Sequence, residues 1–176
     1  MAEREKTSDI TLLETDSIVV KESTFLEKQF GVIAKHKFKK DSTIFSVKGQ
    51  ILPEPTKYSF SVDLNKHIDP VKEDGSLDFG HYLNHSCEPN TLIKVVNKTA
   101  ERPFIEIVAR RDIKSGEELT FDYASLEYET VSRVNCKCRT AVCRGTVHGF
   151  KDLPNNIVEK YKKEKMIPTH LLKKQK

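Results

Sequence analysis

Cys136-Lys137-Cys138-Arg139-Thr140-Ala141-Val142-Cys143 sets three thiols in a Cys-x-Cys-x4-Cys spacing, and one further cysteine, Cys87, stands far earlier in the loop His85-Ser86-Cys87-Glu88-Pro89-Asn90. The spacing is too tight for ordinary disulfide geometry but suits thiolates converging on one ion. Structural zinc takes four ligands, and a single cysteine remains to complete the set. A four-cysteine zinc site would therefore tie Cys87 to the C-terminal segment, with His148 as the competing fourth ligand. The opening residues, Met1 to Lys6, are charged and lead into no apolar stretch, so no secretory signal is expected and a disulfide framework is disfavoured.

Outward from these cysteines the chain reads as many short strands. Ile18-Val19-Val20 opens one, and Phe30-Gly31-Val32-Ile33-Ala34 a second. Asp41-Ser42-Thr43 is a turn signal before the apolar Ile44-Phe45-Ser46-Val47, and Gly49, Pro53 and Pro55 break the chain beyond it. Tyr58-Ser59-Phe60-Ser61-Val62 alternates at period two, which predicts a half-buried strand with Tyr58, Phe60 and Val62 on one face. Residues 63–80 read as turn chemistry. Thr91 to Val96 and Phe104 to Ala109 predict a hairpin, and the turn Asp112 to Gly116 leads into Leu119-Thr120-Phe121-Asp122-Tyr123. Helix is expected weakly over Leu126 to Val134 and more strongly over Asn155 to Met166, where Ile157, Val158 and Tyr161 share a face and Pro168 forbids continuation. Residues 1–17 read as a polar lead-in.

Composition limits the rest. The chain has 176 residues, 37% of them hydrophobic and 32% charged, with 9 Phe and 5 Tyr. That suits one domain with a modest core, and no apolar run is long enough to span a membrane. Lys160 to Lys176 contains seven Lys and one Glu; since the whole chain is +4, residues 1–159 carry about −2. The body is therefore not a basic nucleic-acid surface. The Lys-rich end reads as a soluble terminus, with a weak electrostatic foot on nucleic acid as the minority reading.

Three motifs in order carry a resemblance: Asn84-His85-Ser86-Cys87-Glu88-Pro89-Asn90, Gly116-Glu117-Glu118-Leu119-Thr120-Phe121-Asp122-Tyr123, and Cys136-x-Cys138-x4-Cys143-Arg144-Gly145. The chain resembles the SET-domain protein-lysine N-methyltransferases with their post-SET zinc segment. The resemblance implies a mainly β fold of small sheets with few short helices and a threaded (pseudoknot) C-terminal segment. It divides the chain into a lead-in (1–17), a SET domain (18–134), a post-SET zinc segment (135–150) and a C-terminal helix with a Lys-rich tail (151–176). It implies methyl transfer from S-adenosylmethionine to a lysine side chain of a protein, with histone tails as the commonest substrate. A SET-like module that binds cofactor, peptide or chromatin without turnover is the alternative. The compartment would be the nucleus and chromatin in a eukaryote or the cytoplasm in a bacterium, with no membrane partner.

The same resemblance assigns residues. Tyr123 would be the catalytic tyrosine and Tyr58 would stand near the cofactor sulfonium. Phe60, Phe121 and Val47 would line the substrate lysine channel. Lys28, Phe30, Gly31, Tyr58, His81, Asn84 and His85 would hold S-adenosylmethionine, and Val147 to Phe150 would cover its adenine. Cys87, Cys136, Cys138 and Cys143 would hold one zinc ion. Gln29 stands where the family has its first glycine, Val47 where it often has a tyrosine, and His81-Tyr82 where it has Arg-Phe. Residues near 60–80 would offer an edge strand to a substrate peptide.

Overall fold

The computed structural model describes residues 10–130 and 134–173. Four small sheets build the body. Strands β1 (Leu13–Glu14), β2 (Ile18–Glu22) and β3 (Phe30–Ala34) pair antiparallel, in register from Ile18↔Ala34 to Glu22↔Phe30. Strand β4 (Thr43–Val47) lies beside the hairpin of β9 (Thr91–Val96) and β10 (Phe104–Ala109) in the order β4-β10-β9. The third sheet runs β5 (Gln50–Leu52), β7 (Lys66–Asp69), β6 (Phe60–Asp63), with β7 central. The fourth is the parallel pair β8 (Asn84–His85) and β11 (Thr120–Phe121), with Thr120 opposite Asn84 and Phe121 opposite His85. This short parallel pair lays the second motif alongside the first.

The expected strands at residues 18–20, 30–34 and 44–47 and the hairpin are present, because each carries β-branched or aromatic residues that one face can bury. Ile18, Val20, Val32, Ala34, Val47, Ile93, Ile105 and Ile107 meet in one core cluster with Phe60, Ile68 and Phe121. Other expectations need correction. The lead-in is not wholly loose, since Leu13–Glu14 pairs with β2. Residues 63–80 contain β7, which sequence patterning missed because Ile68 is the one large apolar residue of Lys66–Asp69; its neighbours β5 and β6 hold it. The strand expected from Tyr58 begins only at Phe60. A turn closed by Thr56 N–H donating to Ser59 Oγ at 2.8 Å precedes it, and Tyr58 remains 42% exposed. Of Leu126–Val134, the described residues 126–130 and 134 form no α-helix.

The C-terminal end is not a free tail. Helices α1 (Asn155–Lys163) and α2 (Thr169–Lys173) fold back onto the body. Val158, Tyr161, Met166, Ile167 and Leu171 join Ala124, Phe150 and Leu153 in a second core cluster. Burying each such side chain is worth about 1.5–3 kcal/mol, whereas the lysines between them stay solvated and cost little. Hydrophobic burial therefore overrides the polar look of this segment.

Gly80, in the turn that carries His81, lies under β4. A Cβ there would stand 2.6 and 2.9 Å from the two methyls of Val47 and 3.2 Å from the Phe60 ring. Gly80→Ala is expected to destabilise the fold by about 1–3 kcal/mol through overpacking, read as a lower denaturant midpoint at unchanged slope.

Candidate active site and metal centre

Glu118, in the second motif, organises the first wall of the site. Its buried carboxylate accepts from Ser23 Oγ (2.9 Å), Thr24 N–H (2.6 Å), Thr24 Oγ1 (2.9 Å) and Asn84 Nδ2 (2.7 Å). The 23–30 loop is thus pinned beside β8. Gly31 has to be glycine, because a Cβ there would occupy the space of the Glu118 carboxylate. Asn84 Nδ2 also donates to the Phe30 carbonyl at 2.9 Å, so its amide nitrogen is committed to the protein and the side-chain carbonyl is the polar group it can offer a ligand. No role for Glu118 was legible in the sequence, although it sits inside a recognised motif; a glutamate in a turn reads as solvated.

Tyr123 follows β11 after one residue, Asp122, whose side chain caps the turn that Tyr123 opens. Its N–H donates to His85 Nδ1 at 3.3 Å, and its hydroxyl donates to the Leu83 carbonyl at 3.0 Å. Burial, and secondarily the negative charge of Glu127, hold its phenol well above the ordinary tyrosine range, so it stays protonated and acts as a donor rather than a base. Burial likewise pushes His85 down to about 4 and keeps the imidazole neutral. With Nδ1 accepting from Tyr123, the ring proton falls on Nε2, which faces Cys87 Sγ at 3.4 Å.

A cavity of about 420 Å³ opens in front of Tyr123. Tyr58, His81, Asn84, His85 and Tyr123 line it together with Asn135, Cys136, Lys137 and Val147 from the cysteine segment. Tyr58 stacks on His81 with ring centroids 3.9 Å apart. The other expected site residues are placed differently. Phe121 packs against Tyr123 (4.8 Å) and Phe60 (5.5 Å), forming with Val47 a buried layer behind the tyrosine and not the cavity wall. Lys28 is exposed with φ of 57°, Phe30 packs against the main core and Gly31 against Glu118; Gln29 is the residue of this segment that reaches the cavity. Val147 lines the cavity, but Phe150 is fully buried in the second core cluster.

The four cysteines converge as the spacing predicts. Their Sγ atoms lie within 4.8 Å of one another, and Cys87 and Cys136 are 3.7 Å apart. Zinc–thiolate bonds of about 2.3 Å in a tetrahedron put sulfurs about 3.8 Å apart, so the donor set fits that ion. Backbone N–H groups of Arg144 and Gly145 point at Cys87 Sγ (3.4 Å) and Cys143 Sγ (3.5 Å), the support that thiolate ligands require. His148, the alternative ligand, lies outside this group among the described residues.

A family model described as SET domain matches residues 29–124, more than half of the chain. The chain belongs to the SET-domain family. This SET chain is 32% identical over 135 residues to the histone-lysine N-methyltransferase TRX1 of Oryza sativa, covering 68% of this chain and 13% of that protein. It is 30% identical over 145 residues to the histone-lysine N-methyltransferase SUV39H2 of Xenopus tropicalis, covering 66% and 36%. An H3 lysine-4 specific enzyme of Chaetomium globosum is 37% identical over 91 residues, 51% of this chain and 8% of that one. The SET chain thus spans well under half the length of these curated relatives. In fold it is similar to KRYPTONITE, solved in complex with mCHG DNA and SAH, with a TM-score of 0.56 and 22% identity over 69% of this chain and 27% of that one.

Proposed function

We propose that the chain is a protein-lysine N-methyltransferase using S-adenosylmethionine, with histone tails as the substrate class and chromatin as its place of action. The observation that carries this is the half-buried Tyr123, its hydroxyl fixed on the Leu83 carbonyl, at a cavity lined jointly by the SET motifs and the cysteine segment. The relatives' activity on histone lysines supports it. About 420 Å³, with Tyr58, Tyr123 and the Asn84 amide among its lining residues, lies in the range of small-ligand sites. Asn84, the backbone of His85, Tyr58, His81, Val147 and the 28–31 segment would hold the cofactor, and the four cysteines would hold one zinc ion.

When bound, S-adenosylmethionine supplies the methyl group on a sulfonium. The protein's work is positioning. A substrate lysine must be neutral to attack; with a reference pKa of about 10.4, uncharging it near pH 7 costs about 4.6 kcal/mol. The apolar layer of Phe60, Phe121 and Val47 behind Tyr123 disfavours an ammonium there, which lowers that cost. The Tyr123 hydroxyl gives its proton to the Leu83 carbonyl, which leaves its oxygen lone pairs to accept an amine N–H and so turn the amine's own lone pair toward the methyl carbon.

Labelled cofactor with core histones, and separately with whole lysate, tests the reading. Label on a histone supports it; cofactor binding with no transfer in either would assign the chain to a binding module. Phe121→Tyr is expected to add a hydroxyl that can hold a water in the layer behind Tyr123. Products should then shift toward monomethyl-lysine by mass spectrometry, and an unchanged product ratio would mean that this layer does not influence how many methyls are accepted.

A further inference from the structure

The cavity has two walls from distant parts of the chain, and something must hold them in register. Asp122, immediately before Tyr123, is completely buried. Its carboxylate accepts both Arg144 guanidinium nitrogens, Nη1 to Oδ2 at 2.7 Å and Nη2 to Oδ1 at 2.8 Å. It also accepts the Ala124 N–H at 3.0 Å and, from helix α1, the Tyr161 hydroxyl at 2.6 Å. Arg144 is the residue whose N–H faces Cys87 Sγ and which directly follows Cys143. One carboxylate thus joins the catalytic strand, the cysteine segment and the C-terminal helix. A second clasp lies at the C-cap of the same helix. Arg110 donates through Nε to Glu164 Oε2 at 2.8 Å and through Nη1 to the Pro89 carbonyl at 3.0 Å, in the loop that carries Cys87.

We propose that Tyr161 is a positioning residue: its phenol fixes the Asp122–Arg144 fork and so seats the zinc segment as the second wall of the cofactor cavity. A phenylalanine would fill the same apolar cluster and remove only the oxygen that reaches the Asp122–Arg144 pair. A buried carboxylate that loses one donor is under-satisfied, and its arginine partner is free to rock. Tyr161 lies beyond the part of the chain that the SET family model matches, so the device belongs to the C-terminal helices. The inference rests on the cofactor reading for its binding readout, but not for its metal readout.

The test compares full-length, zinc-loaded wild type with Tyr161→Phe, with Arg144→Lys (which keeps the charge but loses the two-pronged bond), and with Ile107→Val as a control. Ile107 lies in β10, away from the latch, and its loss of one methylene gives a comparable fall in melting temperature. A chromophoric chelator is expected to strip zinc from Tyr161→Phe and Arg144→Lys about 10-fold faster than from wild type. Kd for S-adenosylhomocysteine should rise about 10-fold, and KM for the methyl donor with it, while kcat changes less than about 3-fold. Ile107→Val should match wild type in all of these. If Tyr161→Phe and Arg144→Lys behave as Ile107→Val does, the positioning role is wrong. If Tyr161→Phe fails to fold, Arg144→Lys decides by the same readouts. If wild type binds no S-adenosylhomocysteine, the cofactor reading fails, and the chelator rates alone decide the latch.

Discussion

Tyr123→Phe is expected to lower methyl transfer at least about 100-fold, the scale at which loss of one oriented polar group or a small misplacement of reactants is felt. Only the hydroxyl that meets the Leu83 carbonyl disappears; the ring keeps its contacts with Phe121 and His85. One hydrogen bond is worth about 1 kcal/mol, so the melting temperature should fall by only about 2–4 °C. Cofactor affinity should stay within about 3-fold, because the Tyr123 N–H bond to His85 is a backbone bond that survives. Single-turnover transfer from labelled donor, alongside calorimetric cofactor binding, separates the two effects. Because burial keeps the Tyr123 phenol protonated, the wild-type rate should rise with pH as the substrate amine loses its proton and not follow a tyrosine titration. Transfer by Tyr123→Phe at the wild-type rate would take this residue out of the chemistry.

Removal of the metal should have the other large effect. Cys143→Ser is expected to reduce zinc from one ion per chain to below about 0.1, since a hydroxyl cannot replace a thiolate at neutral pH. Cys87→Ser, in a loop far away in sequence, should release the same ion. Apart from the cysteines, the 134–147 stretch is held to itself by Cys136 N–H to the Gly145 carbonyl (2.8 Å) and Val147 N–H to the Val134 carbonyl (2.9 Å), and to the body by Arg144. Few apolar side chains of this stretch are buried, whereas structural zinc contributes about 10–16 kcal/mol in small peptides. The wall formed by Asn135, Cys136, Lys137 and Val147 should therefore loosen, with more than a 10-fold loss of cofactor affinity. The β-sheet signal should persist, because the main core lies elsewhere. Metal analysis, titration calorimetry and circular dichroism on the two variants check each part. Full zinc in Cys87→Ser would break the link between the loop and the terminal segment.

Legibility followed burial. Where a strand buries one apolar face, as in β2, β3 and the β9–β10 hairpin, alternation or β-branched content is enough, and those elements stand as expected. Strand β7 was invisible because its support comes from the strands on either side. Tyr58 keeps the alternation of Phe60 and Val62 in sequence, but the turn at Thr56–Ser59 swings it out of the strand and onto His81. The helix expected over Asn155 to Met166 stands as α1, ending at Lys163, because Val158 and Tyr161 bury its apolar face; α2 was not expected, since Thr169–Lys173 is too short to show a period and is held by Leu171 packing into the second cluster.

By itself the sequence determined the small β-sheets, the three motifs and the four sulfur donors, since these depend on residue type and short-range spacing. Only the tertiary structure decided that Glu118 and Asp122 are buried hubs, that Tyr161 reaches the residue beside Tyr123, and that the cavity is lined by several separate segments of the chain. A carboxylate reads as surface in one dimension. Whether it can be buried depends on donors brought from distant segments, and the linear order of residues does not contain those distances.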